Sequence, residues 1–294
     1  MNKKILFVHI PKTAGTSFRL AAQNYFGKEN TFYDYGSSSM ETSQVILKNV
    51  HEERDLYELS QKFARHDKLF LSGHFSVENY MYLFETLNVI SFVRNPMEQV
   101  VSHYNHFKKH HSYEKELRDF VKEERFKNIQ AKCLKAKPSE LFGFIGITEQ
   151  YKKSIEMINA YYNINLEVFS KNIDKDKEVM YNSLSNDMQE LIMKENKEDF
   201  ILYEKAKKIF ENRVSCFNEK RKYTHIFIQE QTDKRIKGVA IEKNNSEPVR
   251  VEIDDYGRKV IVKAKELRPG LLEHRLPRNG YVGFEYFFQK RKNT

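Results

Sequence analysis

Cysteine is nearly missing from this chain. Two occur in 294 residues, Cys133 and Cys216, too few for a disulfide framework or a four-thiolate zinc site. That shortage suits a reducing compartment, and a cytoplasmic location is expected. Long apolar runs are missing too. Stretches such as Ile5 to Val8 and Val89 to Val93 fall far short of the roughly 20 residues that cross a bilayer. The opening MNKKILFVHIPK has basic residues before a short apolar run that stops at a proline, with no small-residue cleavage site, so no signal peptide is expected. No internal repeat, zinc-finger spacing or aromatic strand of the RNA-binding kind occurs, and no nucleic-acid partner is expected. Length and positive charge are not scarce. The chain is long enough for about two domains, and 50 Lys and Arg against 41 Asp and Glu give +9, which favours anionic partners.

Strand and helix signals alternate through the first part of the chain. Residues 4–10 (KILFVHI) read as a strand that hands over at Pro11 to a helical pattern through Phe18, Leu20 and Ala21. A second unit runs from Leu69 to Ser72, ends at Gly73-His74, and continues as a helix-like segment from Ser76 to Glu85. Val89 to Val93 is nearly all apolar, as a strand buried on both faces of a parallel sheet should be. Asn95-Pro96-Met97-Glu98 reads as a helix start with Asn95 as cap. Residues 112–136 and 149–163 read as amphipathic helices, the second capped by Thr148. The expected fold is α/β, a P-loop-like three-layer arrangement around a central parallel sheet in residues 1–222.

Beyond Lys222 the texture changes to short alternating runs: 224–229, 249–253, 259–262 and 281–288. Turns such as Lys243-Asn244-Asn245 separate them. Residues 223–294 are expected to form a small antiparallel β domain. The charge divides unevenly: 35 basic against 31 acidic side chains in 1–222, and 15 against 10 in 223–294. The denser charge of the β region fits an acidic polymer or a peripheral membrane contact.

Two segments carry the chemistry. In Pro11-Lys12-Thr13-Ala14-Gly15-Thr16-Ser17, a strand passes into a helix, so backbone N–H groups and the positive helix end converge on an anion site. Lys12 adds charge, and the hydroxyls add donors. The order is not that of a nucleoside-triphosphate loop: no G-x-x-x-x-G-K-[ST] segment occurs, and here the lysine precedes the glycine. In the second segment, Arg94 emerges from a buried strand with Ser102 about two turns into the next helix, a pair able to hold a second phosphate. His74 follows the second strand, and a histidine is able to act as a base near neutral pH. His103, His106, His110 and His111 cluster on the helix after Arg94. They read as a basic face lining a cleft or as a solvated face; no metal is expected there, because no further carboxylate joins them.

FVHIPKTAGTSF followed by ISFVRNPMEQVVSHY resembles the two cofactor signatures of sulfotransferases that use 3′-phosphoadenosine 5′-phosphosulfate (PAPS). The closest likeness is to carbohydrate sulfotransferases of the heparan sulfate 2-O and 6-O type. GITEQYKK at 146–153 adds to it, and the likeness covers the first 160 to 220 residues. It implies that Lys12, Thr13, Ala14, Gly15, Thr16 and Ser17 hold the 5′-phosphosulfate and that Arg94 and Ser102 hold the 3′-phosphate. It further implies Lys12 and His74 as catalytic, PAPS as co-substrate without a metal, and a hydroxyl of a glycan, capsule, lipopolysaccharide or glycolipid as acceptor. A P-loop-like nucleotide-dependent kinase acting on a small molecule or glycan is the alternative. The C-terminal region loosely resembles β domains appended to bacterial glycan-modifying enzymes.

Overall fold

A computed structural model describes residues 3–134, 138–169 and 179–289. Five parallel strands form the central sheet: β1 (Lys3–Val8), β2 (Thr31–Asp34), β3 (Lys68–Gly73), β4 (Val89–Val93) and β5 (Phe144–Ile147), in the order β2-β3-β1-β4-β5. The apolar runs lie at its centre. Leu6, Phe7, Val8, Phe70, Leu71, Phe92 and Val93 are fully buried, so these strands carry no polar alternation and pack helices on both faces. The rings of Phe7, Phe18, Phe70 and Phe92 meet at centroid distances of 4.5–6.2 Å.

Nine α-helices surround the sheet among the described residues: α1 (Gly15–Phe26), α2 (Gln44–Ile46), α3 (Leu56–Ala64), α4 (Pro96–His110), α5 (Leu117–Lys122), α6 (Ile129–Leu134), α7 (Tyr151–Tyr162), α8 (Asn186–Glu195) and α9 (Lys197–Asn218). The start of α4 is the one expected: Met97 N donates to Asn95 Oδ1 at 3.0 Å, and Pro96 fills the first turn. Three helix expectations need correction. The stretch 112–136 is not one helix but α5, a 3₁₀ turn at Glu124–Phe126 and α6; residues 135 and 136 lie outside the described residues. The segment 76–85 is a pair of 3₁₀ turns, Val77–Asn79 and Met81–Leu83. Thr148 does not cap α7; its hydroxyl donates to Val93 O at 3.0 Å and ties the end of β5 to β4.

After α9 the chain builds a separate antiparallel sheet. β6 (His225–Gln231), β7 (Arg235–Ile241), β10 (Glu266–Leu267) and β11 (Tyr281–Phe287) pair in the order β10-β11-β7-β6, and β8 (Val249–Asp255) with β9 (Arg258–Ala264) forms a hairpin beside it. Strict alternation of buried and exposed residues along β8 explains why it was readable from sequence. The β structure packs on the parallel-sheet portion through a shared cluster in which Leu87 and Leu141 meet Val239, Ile241, Leu271 and Val282. Arg213 of α9 donates to the carbonyls of Gly143 and Phe142 at 2.7 and 3.2 Å, with its guanidinium over the Tyr223 ring. Among the described residues no helix is long and apolar enough to cross a membrane.

Candidate active site

The carboxyl ends of β1, β2, β3 and β4 open on one side of the sheet, where open α/β sheets bind their ligands. At the end of β1 the chain makes a tight loop before α1. Lys12 and Ala14 take left-handed φ values of 66° and 65°, with Thr13 between them outside that region. Such alternation turns successive N–H groups toward one concavity. No side chain caps α1, so its first-turn N–H groups face the same concavity and its positive end adds to their pull on an anion.

Three bonds fix the loop from beneath. The Thr13 hydroxyl donates to Ile10 O at 2.9 Å, Gln99 Nε2 donates to Pro11 O at 3.1 Å, and Arg94 NH1 reaches Lys12 O at 3.4 Å. The Thr13 hydroxyl thus spends its one proton on the loop itself. Gly15 begins α1 in helical geometry, and the left-handed turns fall on Lys12 and Ala14. Its missing side chain makes room for His9: a Cβ there would lie 1.9 Å from His9 Cδ2.

His74 lies beside this loop. Its Nδ1 is 2.6 Å from the carbonyl oxygen of His9. A carbonyl only accepts, so Nδ1 carries the proton, and in the neutral ring Nε2 keeps a free lone pair. The residue is exposed, yet crowding by protein pulls its pKa below the ordinary value, with the bond to His9 opposing and the Arg19 charge assisting. The His9 ring is 4.5 Å from that of His74 and shares a hydrogen bond with the Tyr35 hydroxyl at 2.9 Å. Burial, then His74, Arg19 and Lys12, push His9 well below its ordinary pKa. The Arg19 guanidinium lies over the Tyr33 and Tyr35 rings and pairs with Glu41. Sequence reasoning missed Arg19, Tyr35 and Glu41. They sit on the helix face behind the loop and past the end of β2, a short half-buried strand that left no apolar run.

Arg94 ends β4 as expected. A buried Gln130 clasps its backbone, accepting from Arg94 N and donating to Arg94 O, both at 2.9 Å. The guanidinium bonds Glu98 at 2.8 Å, so Glu98 serves Arg94 and not the helix cap. Ser102 is half-buried on α4, three residues from Gln99 on the face turned to the loop. The structure therefore brings Lys12, Arg94, Gln99 and His74 to one place. The histidine cluster divides. His103 is buried, edge-on to Phe107, Phe120 and Phe126 at 5.0–5.6 Å. Burial first, then neighbouring cations including Lys12, push it down to about 3. It is a neutral core residue, while His106, His110 and His111 cluster with ring centroids 4.8–5.4 Å from His106.

An uncapped helix end behind a loop of alternating handedness, an arginine held at the next strand end and an imidazole thus lie together at the carboxyl end of an α/β sheet. Residues 1–206 match the sulfotransferase family model, and the chain belongs to that family. Among solved structures, a mouse sulfotransferase complexed with PAP shares 12% identity over 71% of this chain and 90% of its own, with a TM-score of 0.40. A sulfotransferase from Alicyclobacillus acidocaldarius shares 13% over 68% and 93%, with a TM-score of 0.36. Retinol dehydratase in complex with androsterone and PAP shares 14% over 67% and 65%, with a TM-score of 0.28. No curated protein matches significantly. At these scores the family assignment rests on the family match.

Proposed function

We propose that this chain moves a sulfuryl group from PAPS to a hydroxyl of a carbohydrate acceptor. One observation carries the reading: the 2.6 Å bond that fixes the His74 tautomer beside an uncapped helix end and a loop of alternating handedness. The backbone N–H groups of Thr13 to Ser17 suit the 5′-phosphosulfate, and Arg94 with Ser102 suits the 3′-phosphate. The co-substrate supplies the sulfuryl group and a phosphate leaving group. The Lys12 ammonium stabilises negative charge developing on a leaving oxygen at the loop, an interaction stronger in the transition state than before it. His74 Nε2 takes the acceptor hydroxyl's proton, while Nδ1–H keeps the ring oriented against His9 O. Arg19, Tyr33 and Tyr35 form a cationic aromatic wall beside His74 that suits a glycan or glycolipid acceptor.

Residues 223–294 are read as an accessory β domain on a catalytic portion of residues 1–222. The two half-buried free cysteines suit a reducing cytoplasm, and burial, with Asp199 adding to it, pushes the Cys133 thiol up to about 12, away from reactivity. The test compares ligands directly. 3′-Phosphoadenosine 5′-phosphate should raise the melting temperature by several degrees while ATP–Mg²⁺ does not; the reverse result would favour a kinase and overturn the proposal.

A further inference from the structure

A cavity of about 1170 Å³ lies at the opposite end of the parallel sheet, where Lys3, Lys4 and Ile5 begin β1. Its far wall comes from the β structure. The volume exceeds the roughly 300–1,000 Å³ of small-molecule sites. Five cations line it, Lys3, Lys4, Lys243, Arg275 and Arg278, against one carboxylate, Glu85.

These cations bond oxygens that carry no charge. Lys3 Nζ donates to Asn163 O at 2.7 Å and Lys4 Nζ to Phe63 O at 2.8 Å. Arg275 NH1 donates to Leu83 O and Arg278 NH1 to Ala264 O, each at 3.0 Å, and Lys243 Nζ donates to Asn88 Oδ1 at 3.3 Å. Among the described residues none of the five forms an ion pair. Lys243 is the extreme case. Its ammonium sits 3.8 Å from the Tyr162 ring centroid and 4.9 Å from that of Tyr161, and burial brings its pKa down to about 8. Glu85, the one carboxylate of the wall, opposes that shift, and a buried cation of this kind is better satisfied when a further anion joins it. Arg275 and Arg278 take left-handed φ values of 47° and 54°, a conformation unfavourable for side chains with a Cβ that persists where the surroundings impose it.

We infer that this cavity binds a segment of an acidic oligosaccharide, its carboxylate or sulfate groups on the five cations and its hydroxyls on the asparagine amides of the wall. Asn88, Asn163, Asn244 and Asn279 supply those amides. A concave cleft with cations on both walls suits a chain better than the flat face of a bilayer. The site stands at the other end of β1 from Lys12, about 20 Å away at the usual rise per strand residue, and does not depend on the transfer reaction.

A fluorescent chondroitin sulfate hexasaccharide, followed by anisotropy with the full chain and no co-substrate, tests this. Arg275→Gln with Arg278→Gln should weaken binding at least tenfold. Lys263→Gln with Lys265→Gln, which removes the same charge from outside the cavity, should change it less than twofold. In the unaltered protein, the hexasaccharide should protect Lys4 and Lys243 from acylation read by mass spectrometry, and leave Lys263 reactive. Equal loss in both double variants, or no protection of Lys4 and Lys243, overturns the inference. So does binding to phosphatidylserine vesicles that the Arg275/Arg278 pair abolishes while hexasaccharide binding persists.

Discussion

Catalysis through His74 depends on which nitrogen of its ring is free. The His9 carbonyl holds the proton on Nδ1, so Nε2 is the nitrogen left for the proposed base, and the pKa is lowered by crowding. A lowered pKa keeps the base form to more acidic solution than a free imidazole does. The acid limb of kcat/KM should therefore have its midpoint below 6.5; a midpoint at or above 6.5 contradicts the assignment. His74→Ala should lower kcat by about 10²–10⁴ and leave co-substrate affinity within a few fold. His74 was legible in the sequence because it follows an apolar strand. The partner that orients it was not, since a backbone carbonyl leaves no mark in a residue pattern. His103 shows the opposite error. Helical spacing grouped it with His106 and His110, and only the packing of Phe107, Phe120 and Phe126 around it reveals a core side chain.

Strands were legible where a largely apolar run or a clean alternation marked them. β1, β3 and β4 each carry a largely apolar run, and β8 alternates cleanly, whereas the fully buried β5 is only four residues long and was not read as a strand. β2 and β7 escaped notice because each mixes half-buried and buried positions, and β7 contains Gly238, whose place is set by a close approach to Phe227 O. In the loop before α1 the left-handed residues are Lys12 and Ala14, and the glycine yields space to His9. Ala14→Gly should therefore relax the backbone and stabilise the protein by about 0.5–1 kcal/mol, seen as a higher urea midpoint. Gly15→Ala should displace the His9 ring and, through His9 O, the His74 imidazole, so kcat should fall more than the melting temperature suggests.

For the whole molecule, the alternating runs beyond Lys222 suggested a small β domain, and its denser charge a contact for an acidic polymer or membrane. The packing argues for closer dependence, since Leu87 and Leu141 share a cluster with the β structure and Arg213 reaches His225 Nδ1 at 3.3 Å. His9, His103 and His225 are all buried, and burial lowers the pKa of each. The unfolded chain takes up protons near pH 6.5 that the fold refuses. Stability should accordingly be level above that pH and fall below it by about 1.4 kcal/mol per pH unit for each such histidine. Urea midpoints between pH 7.5 and 5 measure this, and His103→Leu should flatten the slope by one proton's worth.

The most direct measurement is transfer of ³⁵S from labelled PAPS to a capsule or lipopolysaccharide acceptor by the unaltered protein, Lys12→Ala and His74→Ala. Label should reach the acceptor with the unaltered protein. It should fall by about 10²–10³ with Lys12→Ala and by about 10²–10⁴ with His74→Ala. Full transfer by either variant, or none from PAPS where labelled ATP phosphorylates the same acceptor, would contradict the account.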